Sequence, residues 1–390
     1  MALGLVVVAG CATGDGEAGL AALEVPTLEA PIHAAPSEIA AEDVLADARR
    51  VNDAFMARFP DPTVSVRDGK RVAGNGWARA VYFEGLMALH AASPSDRYLA
   101  YARTWAERHA WGLVSGPATR FADDQCAGQT YLELDALDPD PSHVREIEAS
   151  VGAMSASAGA GDWTWVDAIH MAMPVFARIG SARGDDRVLE KMYALYTHSR
   201  DVQGGGLYSR ADHLWWRDAH FVPPYATPSG RPCFWSRGNG WVYSGLARAI
   251  EALPEGAPHR AEYVADFVAM SDAIRRTRRP DGFWNASLAD PEHFGGKETT
   301  GTALFVHGMA WGVRKGLLAA EVYRPFVLES SRALASVVRA DGSLAWVQGE
   351  AAQPSDRQPV RYDTVLDQDD FAVGCFLLAE SELARMLRGR

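Results

Sequence analysis

From about Glu38 onward, apolar residues recur three and four positions apart, and no region reads as strand-rich. This spacing predicts twelve helices, near residues 40–58, 76–92, 94–108, 123–136, 142–156, 164–179, 184–200, 238–252, 260–277, 299–317, 320–338 and 368–387. Two kinds alternate along the chain. The odd-numbered helices are charged on one side: in the third, Tyr98, Leu99, Tyr101, Ala102, Trp105 and Ala106 stand against Arg103, Glu107 and Arg108. The even-numbered helices are apolar nearly all round, as in the run from Gly301 to Trp311. A helix that is apolar on every face is buried, and an amphipathic one covers it.

An internal repeat follows the same alternation. Asp281-Gly282-Phe283-Trp284 follows the ninth helix, and Asp341-Gly342-Ser343-Leu344-Ala345-Trp346 follows the eleventh, sixty residues later. Gly204-Gly205-Gly206-Leu207-Tyr208 stands in the same place after the seventh. Each is a turn signal and a short aromatic segment ahead of a buried helix. Six outer–inner helix pairs predict an all-α fold, an (α/α)6 barrel forming a single domain over residues 38–390. A ring of hairpins accommodates a domain of this length, which one ordinary core does not.

Composition narrows the chemistry. The 390 residues are 48% apolar and 23% charged, an ordinary globular balance. A net charge of −12 excludes a broad basic footprint for nucleic acid. No apolar run reaches the ~18 residues that a membrane-spanning helix requires. Cys11, Cys126, Cys233 and Cys375 have neither zinc-site nor redox-pair spacing, and no pairing is assigned to them. Glycine loops for phosphate, HExxH and GxSxG are absent, and nothing calls for a metal or an organic cofactor.

The first residues read as processing signals. Ala2 to Ala9 is a short apolar stretch, and Val8-Ala9-Gly10-Cys11 resembles a lipobox, with Cys11 as the lipidated residue. A plain signal peptide over residues 1–11 is the alternative. Residues 12–37, rich in Ala, Gly and Pro, read as a tether. Both readings imply export. A lipid anchor at Cys11 would place the protein in the periplasm or at the outer membrane, and would be its sole membrane contact.

In such a ring all inner helices run the same way, so their N-termini share one mouth. Trp77, Asp123, Asp124, Trp163 to Asp167, Trp235 to Trp241, Thr299, Thr300 and Asp367 to Asp370 fall there. Aromatic faces and a few fixed polar groups suit a sugar cleft. N-capping is the plainer role for Thr299, Asp367 and one of Asp123 and Asp124. Asp167 is expected one turn inside an apolar helix, where lost solvation would raise its pKa toward a useful general acid. The alternative is a buried acid paired with an Arg. His213 and Arg217 flank Leu214-Trp215-Trp216, and Arg237 follows Phe234-Trp235-Ser236. These cations suggest a socket for a carboxylate, or else packing of Arg on Trp.

Four segments together carry a family resemblance: residues 122–131 (ADDQCAGQTY), 163–180 (WTWVDAIHMAMPVFARIG), 234–242 (FWSRGNGWV) and 299–318 (TTGTALFVHGMAWGVRKGLL). They resemble the unsaturated glucuronyl and rhamnogalacturonyl hydrolases of glycoside hydrolase families 105 and 88, over nearly the whole body. The resemblance implies an (α/α)6 barrel that removes a 4,5-unsaturated uronic acid from the non-reducing end of lyase-generated oligosaccharides. It implies hydration of the C4=C5 vinyl ether, with Asp167 as acid/base. Asp124 matches the second aspartate, with Asp123 as the alternative register. His213, Trp235, Arg237 and Trp241 match substrate-binding positions, and Trp163 and Asp123 join them as candidates at the same mouth. One departure concerns a lysine about ten residues before the catalytic aspartate in the rhamnogalacturonyl branch. Ser155 to Ala160 contains no cation, which leaves glucuronyl-type substrates open. Rival readings are a conventional inverting glycosidase or sugar epimerase on the same fold, and a non-catalytic glycan-binding lipoprotein.

Overall fold

The computed structural model describes residues 39–367 and 369–389. The signal, Cys11 and tether readings lie outside the described residues.

Six buried helical stretches form an inner ring: α2 (Trp77–Ala92), α4 (Ala122–Gln125) with α5 (Ala127–Leu137), α7 (Asp167–Met171) with α8 (Met173–Arg183), α10 (Ser236–Ala252), α12 (Thr299–Arg314) and α14 (Asp370–Leu387). Six more cover them: α1 (Ala41–Arg58), α3 (Asp96–Arg108), α6 (Pro141–Ser155), α9 (Asp186–Asp201), α11 (Arg260–Arg276) and α13 (Ala320–Ala335). Each inner stretch packs on the next, and α14 returns to α2, closing an (α/α)6 barrel. The division follows the sequence pattern. In α3 the buried residues are Tyr98, Tyr101, Ala102, Trp105 and Ala106, one face of the helix. In α12 burial runs without a break from Thr299 to Gly312. Two of the twelve expected helices are interrupted, at Cys126 and at Ala172.

Strands are few among the described residues. β1 (Ser65–Arg67) pairs antiparallel with β2 (Lys70–Val72), and β3 (Tyr208–Ser209) with β4 (Leu214–Trp215). The repeated turns share one geometry. Gly282 N donates to Arg279 O and Arg279 N to Phe283 O; Gly342 N donates to Arg339 O and Arg339 N to Ser343 O. Both glycines have φ above +80°, the left-handed region that a side chain disfavours. Cys126, Cys233 and Cys375 are free and buried.

Three capping expectations are corrected, the first because Phe121 stands at the N-cap of α4 and neither Asp123 nor Asp124 caps it. Glu298, not Thr299, caps α12, accepting from Thr300 N and Gly301 N at 3.0 and 2.7 Å. A carboxylate spans both orphan donors where a hydroxyl meets one. Asp367 accepts from Gly69 N in the β1–β2 turn, and Asp369 is the flanking residue of α14.

Ring closure is a backbone-close contact. A Cβ on Gly374 of α14 would stand 2.2 Å from Val81 O, and one on Gly85 of α2 would stand 2.5 Å from Gly374 O. The two backbones therefore touch. At the same seam Arg79 Nε donates to Asp370 Oδ2 at 2.8 Å, both side chains fully buried. Arg79 also donates to the carbonyls of Pro62 and Val64, and Ser65 Oγ donates to Asp370. Gly374→Ala must part α2 from α14 and is expected to destabilise the fold by about 3 kcal/mol. Gly152→Ala, in α6 with nothing within 4 Å of the added Cβ, is expected to stabilise by roughly 0.5–1 kcal/mol through helix propensity. Urea unfolding of both variants measures the contrast, and equal midpoints would refute close packing at the seam.

Candidate active site

All inner stretches begin at one mouth, so their first turns converge. A narrow cavity there is lined by Trp77, Asp123, Trp165, Asp167, Met171, Arg217, Trp235, Arg237, Trp241, Glu350 and Ala351. Trp77 and Trp241 meet edge to face, ring centres 6.3 Å apart.

Asp167 opens α7 instead of lying one turn inside a longer helix. The residues before it are tied elsewhere: Val166 N donates to Arg217 O at 2.9 Å, and Trp165 bridges Asp218. α7 ends after little more than a turn. Pro174 has no N–H for the carbonyl of His170, four residues back. Gln129 Nε2 donates to that carbonyl instead, at 2.8 Å. The His170 ring meets Glu84 Oε2 at 3.0 Å through Nε2, and lies 4.7 Å from the ring of Trp241. Glu84 also accepts from Cys126 Sγ at 3.1 Å and pairs with Arg248 at 3.5 Å. Burial opposes the charge of Glu84, yet His170 and Arg248 hold its carboxyl below the usual range. This buried network pins the short helix that begins at Asp167.

Asp167 accepts from Arg217 Nε at 3.3 Å through Oδ2, while Oδ1 is buried without a hydrogen-bond partner. Burial raises its pKa, with Arg217 and Arg237 pulling the other way. Asp123 is pushed up to about 7, chiefly by burial and then by the charge of Asp167, against the pull of Arg217. Two carboxyl groups thus share one wall and oppose each other's ionisation. Arg217 is oriented by Asp218, which accepts from Nη1 at 2.6 Å.

Several expected placements change. Asp124 turns away from the cavity and accepts from Thr119 Oγ1 at 2.8 Å, so Asp123 is the residue in the wall. Neighbouring helix positions are about 100° apart, so only one of the pair can face inward. Trp163 is fully buried, edge-on to Phe176, and Trp165 lines the cavity instead. His213 sits in the β3–β4 turn with φ +55°, hydrogen-bonded to Tyr208 Oη at 2.8 Å, away from the cavity lining. Arg237 lines the cavity, but its two terminal nitrogens donate at 2.7 Å to the carbonyls of Gln348 and Gly349. Its guanidinium also lies over Trp235, 4.7 Å from the ring centre. Arg217 is therefore the cation with a less committed fork. Trp235 and Trp241 stand in the wall as expected.

Glu350 had no periodic signal to mark it. Arg237 holds the 348–349 backbone, Gln348 Oε1 accepts from Trp235 Nε1 at 2.9 Å, and Glu350 is thereby delivered to the mouth. There it pairs with Arg67 of β1 at 2.9 Å. Arg217, Glu350 and Ala351 also line a second, polar cavity of about 410 Å³, with Arg67 and Arg357 among its walls. The two cavities are contiguous through these shared residues.

The sequence profile of Glycosyl Hydrolase Family 88 matches residues 47–387. The chain is 28% identical over 335 residues to an unsaturated 3S-rhamnoglycuronyl hydrolase of Formosa agariphila, covering 81% of this chain and 86% of the relative. A solved family 88 glycosyl hydrolase from Bacteroides vulgatus is 31% identical with a TM-score of 0.80, covering 89% of this chain and all of that one. A solved protein named Polysaccharide Lyase BACCELL_00875 is 29% identical with a TM-score of 0.80, over 89% of this chain and 98% of that one. With its helical ring, its paired aspartates at one mouth and a profile match over most of its length, the chain belongs to glycosyl hydrolase family 88.

Proposed function

We propose that this protein removes a 4,5-unsaturated uronic acid from the non-reducing end of oligosaccharides left by polysaccharide lyases. The observation that carries the reading is the Asp123–Asp167 pair beside Arg217 in an aromatic cavity, Asp167 buried and Asp123 half-buried, with the Asp123 carboxyl pushed up to about 7 and that of Asp167 also raised. Family membership and the name of the Formosa agariphila relative support it.

In this mechanism the pair delivers its proton through Asp167 to C4 of the vinyl ether. Water adds at C5, and its proton returns to the aspartate. The C5 hemiketal opens to a ketone, and the hemiacetal left at C1 collapses to an aldehyde and releases the aglycone. One water is consumed, and one carboxyl group carries both proton transfers. Asp123 orients the water or a ring hydroxyl and keeps the shared proton available. Arg217 faces the uronate carboxylate, since its fork suits two oxygens. The aromatic walls stack on the sugar, and the 410 Å³ outer cavity takes the next residue. The relative's name favours rhamnose there. Export with anchoring at Cys11 belongs to this reading on the strength of the Val8–Cys11 segment.

Asp167→Asn is expected to lose ~10²–10⁴ in kcat, the usual worth of a general acid–base. Asp123→Asn is expected to lose a similar factor, and Asp124→Asn less than tenfold, because Asp124 faces Thr119. Steady-state kinetics on an unsaturated disaccharide checks all three. A larger loss at Asp124 than at Asp123 would reverse the assignment.

The pH profile carries a second test. The pair keeps its last proton up to about pH 7, so kcat is expected to fall as pH rises through that value. In Asp123→Asn, Asp167 faces Arg217 without a second carboxylate, and the falling limb moves to lower pH. Folding raises the Asp123 pKa from 3.8, so the folded state binds the extra proton and stability falls between about pH 4 and pH 7. Asp123→Asn removes this decline. A limb and a melting profile unmoved by the substitution would contradict the coupling.

The chemistry itself is tested in heavy water. Deuterium is expected at C4 of the released sugar, ultraviolet absorbance of the conjugated double bond falls, and the saturated glycoside is inert. The lyase named among the relatives suggests a second reading, β-elimination, which would raise that absorbance. Cleavage of the saturated glycoside would favour an ordinary two-carboxylate glycosidase.

A further inference from the structure

Three aromatic rings are exposed among the described residues: Phe121, Tyr225 and Tyr362. Tyr225 packs on Phe221 and Tyr362 on Trp346, neither of which lines the cavity that holds Asp123 and Asp167. Phe121 is placed differently. Its ring centre lies 5.1 Å from that of Trp165, the two planes tilted by 33°, and Trp165 is in the cavity wall. We propose that Phe121 and Trp165 form a stacking platform at the rim of this cavity, a binding site for a pyranose ring of the leaving oligosaccharide.

A single exposed apolar side chain ordinarily calls for no explanation. The position of Phe121 does. It is the N-cap of α4, in extended conformation at φ −87° and ψ 121°, and its side chain makes no hydrogen bond to the helix. Ser, Thr, Asp or Asn at such a position satisfies a free backbone N–H, which a phenyl ring cannot do. Local stability thus favours a small polar group where the chain carries a ring 50% exposed to water.

The backbone beneath the ring is fixed. Phe121 N donates to Thr119 Oγ1 at 3.2 Å, and Phe121 O accepts from Asp124 N and Gln125 N at 3.1 and 3.2 Å. The segments that carry the two rings are also tied together. Arg120 donates from Nε and Nη2 to the two oxygens of Asp162, each at 2.7 Å. The ring is therefore presented from a rigid rim, two residues before Asp123.

These surroundings set the class of ligand. A flat apolar ring beside a sugar cleft suits the C–H face of a pyranose, whose hydroxyls stay in water or meet the polar edge. The Arg120–Asp162 pair is neutral as a unit, so it gives no preference for an anionic sugar. A neutral pyranose fits both features. That this pyranose belongs to the leaving chain rests on the function proposed above; the exposed ring pair does not.

Steady-state kinetics on two substrates tests the platform. One is the unsaturated uronate with only a methyl aglycone, and the other is an unsaturated tetrasaccharide from a lyase digest. Phe121→Ala is expected to raise KM for the tetrasaccharide roughly three- to tenfold, the worth of one aromatic contact, with kcat unchanged. The methyl glycoside offers no second ring, so its KM and kcat keep their wild-type values. Phe121→Tyr retains the ring and keeps the wild-type KM for the tetrasaccharide. An unchanged tetrasaccharide KM in Phe121→Ala overturns the platform. An equal loss on the methyl glycoside also overturns it, because the ring would then act only by holding Trp165 or Asp123. Calorimetric titration of the tetrasaccharide into Asp167→Asn, with and without Phe121→Ala, reads affinity without turnover. Equal or absent binding in that titration overturns the platform, whereas a wild type that turns over neither substrate refutes the proposed function.

Discussion

Closure of the inner ring is the constraint on which the rest of the structure depends. Six helical stretches share one direction, and the last must lie against the first for the barrel to exist. The contact is made backbone to backbone at Gly85 and Gly374, so the seam has no room for a side chain. The Arg79–Asp370 pair sits at the same seam, fully buried. A buried ion pair is a weak source of net stability, but it is strict about geometry, because either charge alone would be stranded. Here it fixes the first turn of α14 against the first turn of α2. It also draws in the 62–65 segment that leads to the β1–β2 hairpin. The closed ring and the rim of the mouth that holds Asp123 and Asp167 are set by the same contacts.

Inside the ring, polar groups are spent on positioning. The Glu84, His170 and Arg248 side chains would be expensive in an apolar barrel unless mutually satisfied. Glu84 holds α7, a helix that Pro174 would otherwise leave loosely terminated, through the His170 ring, and Gln129 takes the freed His170 carbonyl. Asp167 begins that helix and Trp241 packs on its histidine. The interior is thereby linked to the wall of the cavity that holds Asp123 and Asp167.

At the mouth, loops finish what the helices begin. Arg237 is buried in α10, yet its hydrogen bonds go to the backbone at residues 348 and 349, more than a hundred positions later. That use of an arginine brings Glu350 to the rim and leaves Arg217 as the cation beside Asp167. The carboxyl pair owes its raised pKa values to this enclosure, since burial is the leading cause for both aspartates.

The sequence by itself determined the barrel. The alternation of one-sided and all-round apolar helices is local, and so are the Asp-Gly turns repeated sixty residues apart; periodicity and backbone preference carry such information directly. It also placed Asp167, Trp235, Arg237 and Trp241 at one mouth, because helices that share a direction share an end. Tertiary structure alone decided what lay between near neighbours. Asp123 faces the cavity and Asp124 does not, because the start and phase of α4 rotate one inward. Trp165 lines the wall and Trp163 the core, because the chain there is pinned to residues 217 and 218 instead of continuing as helix. Arg217 stands beside Asp167 while Arg237 is spent on the 348–349 backbone and His213 lies outside the cavity lining, and Glu350 entered without warning. Each of these depends on contacts between segments far apart in the chain, which no local pattern encodes.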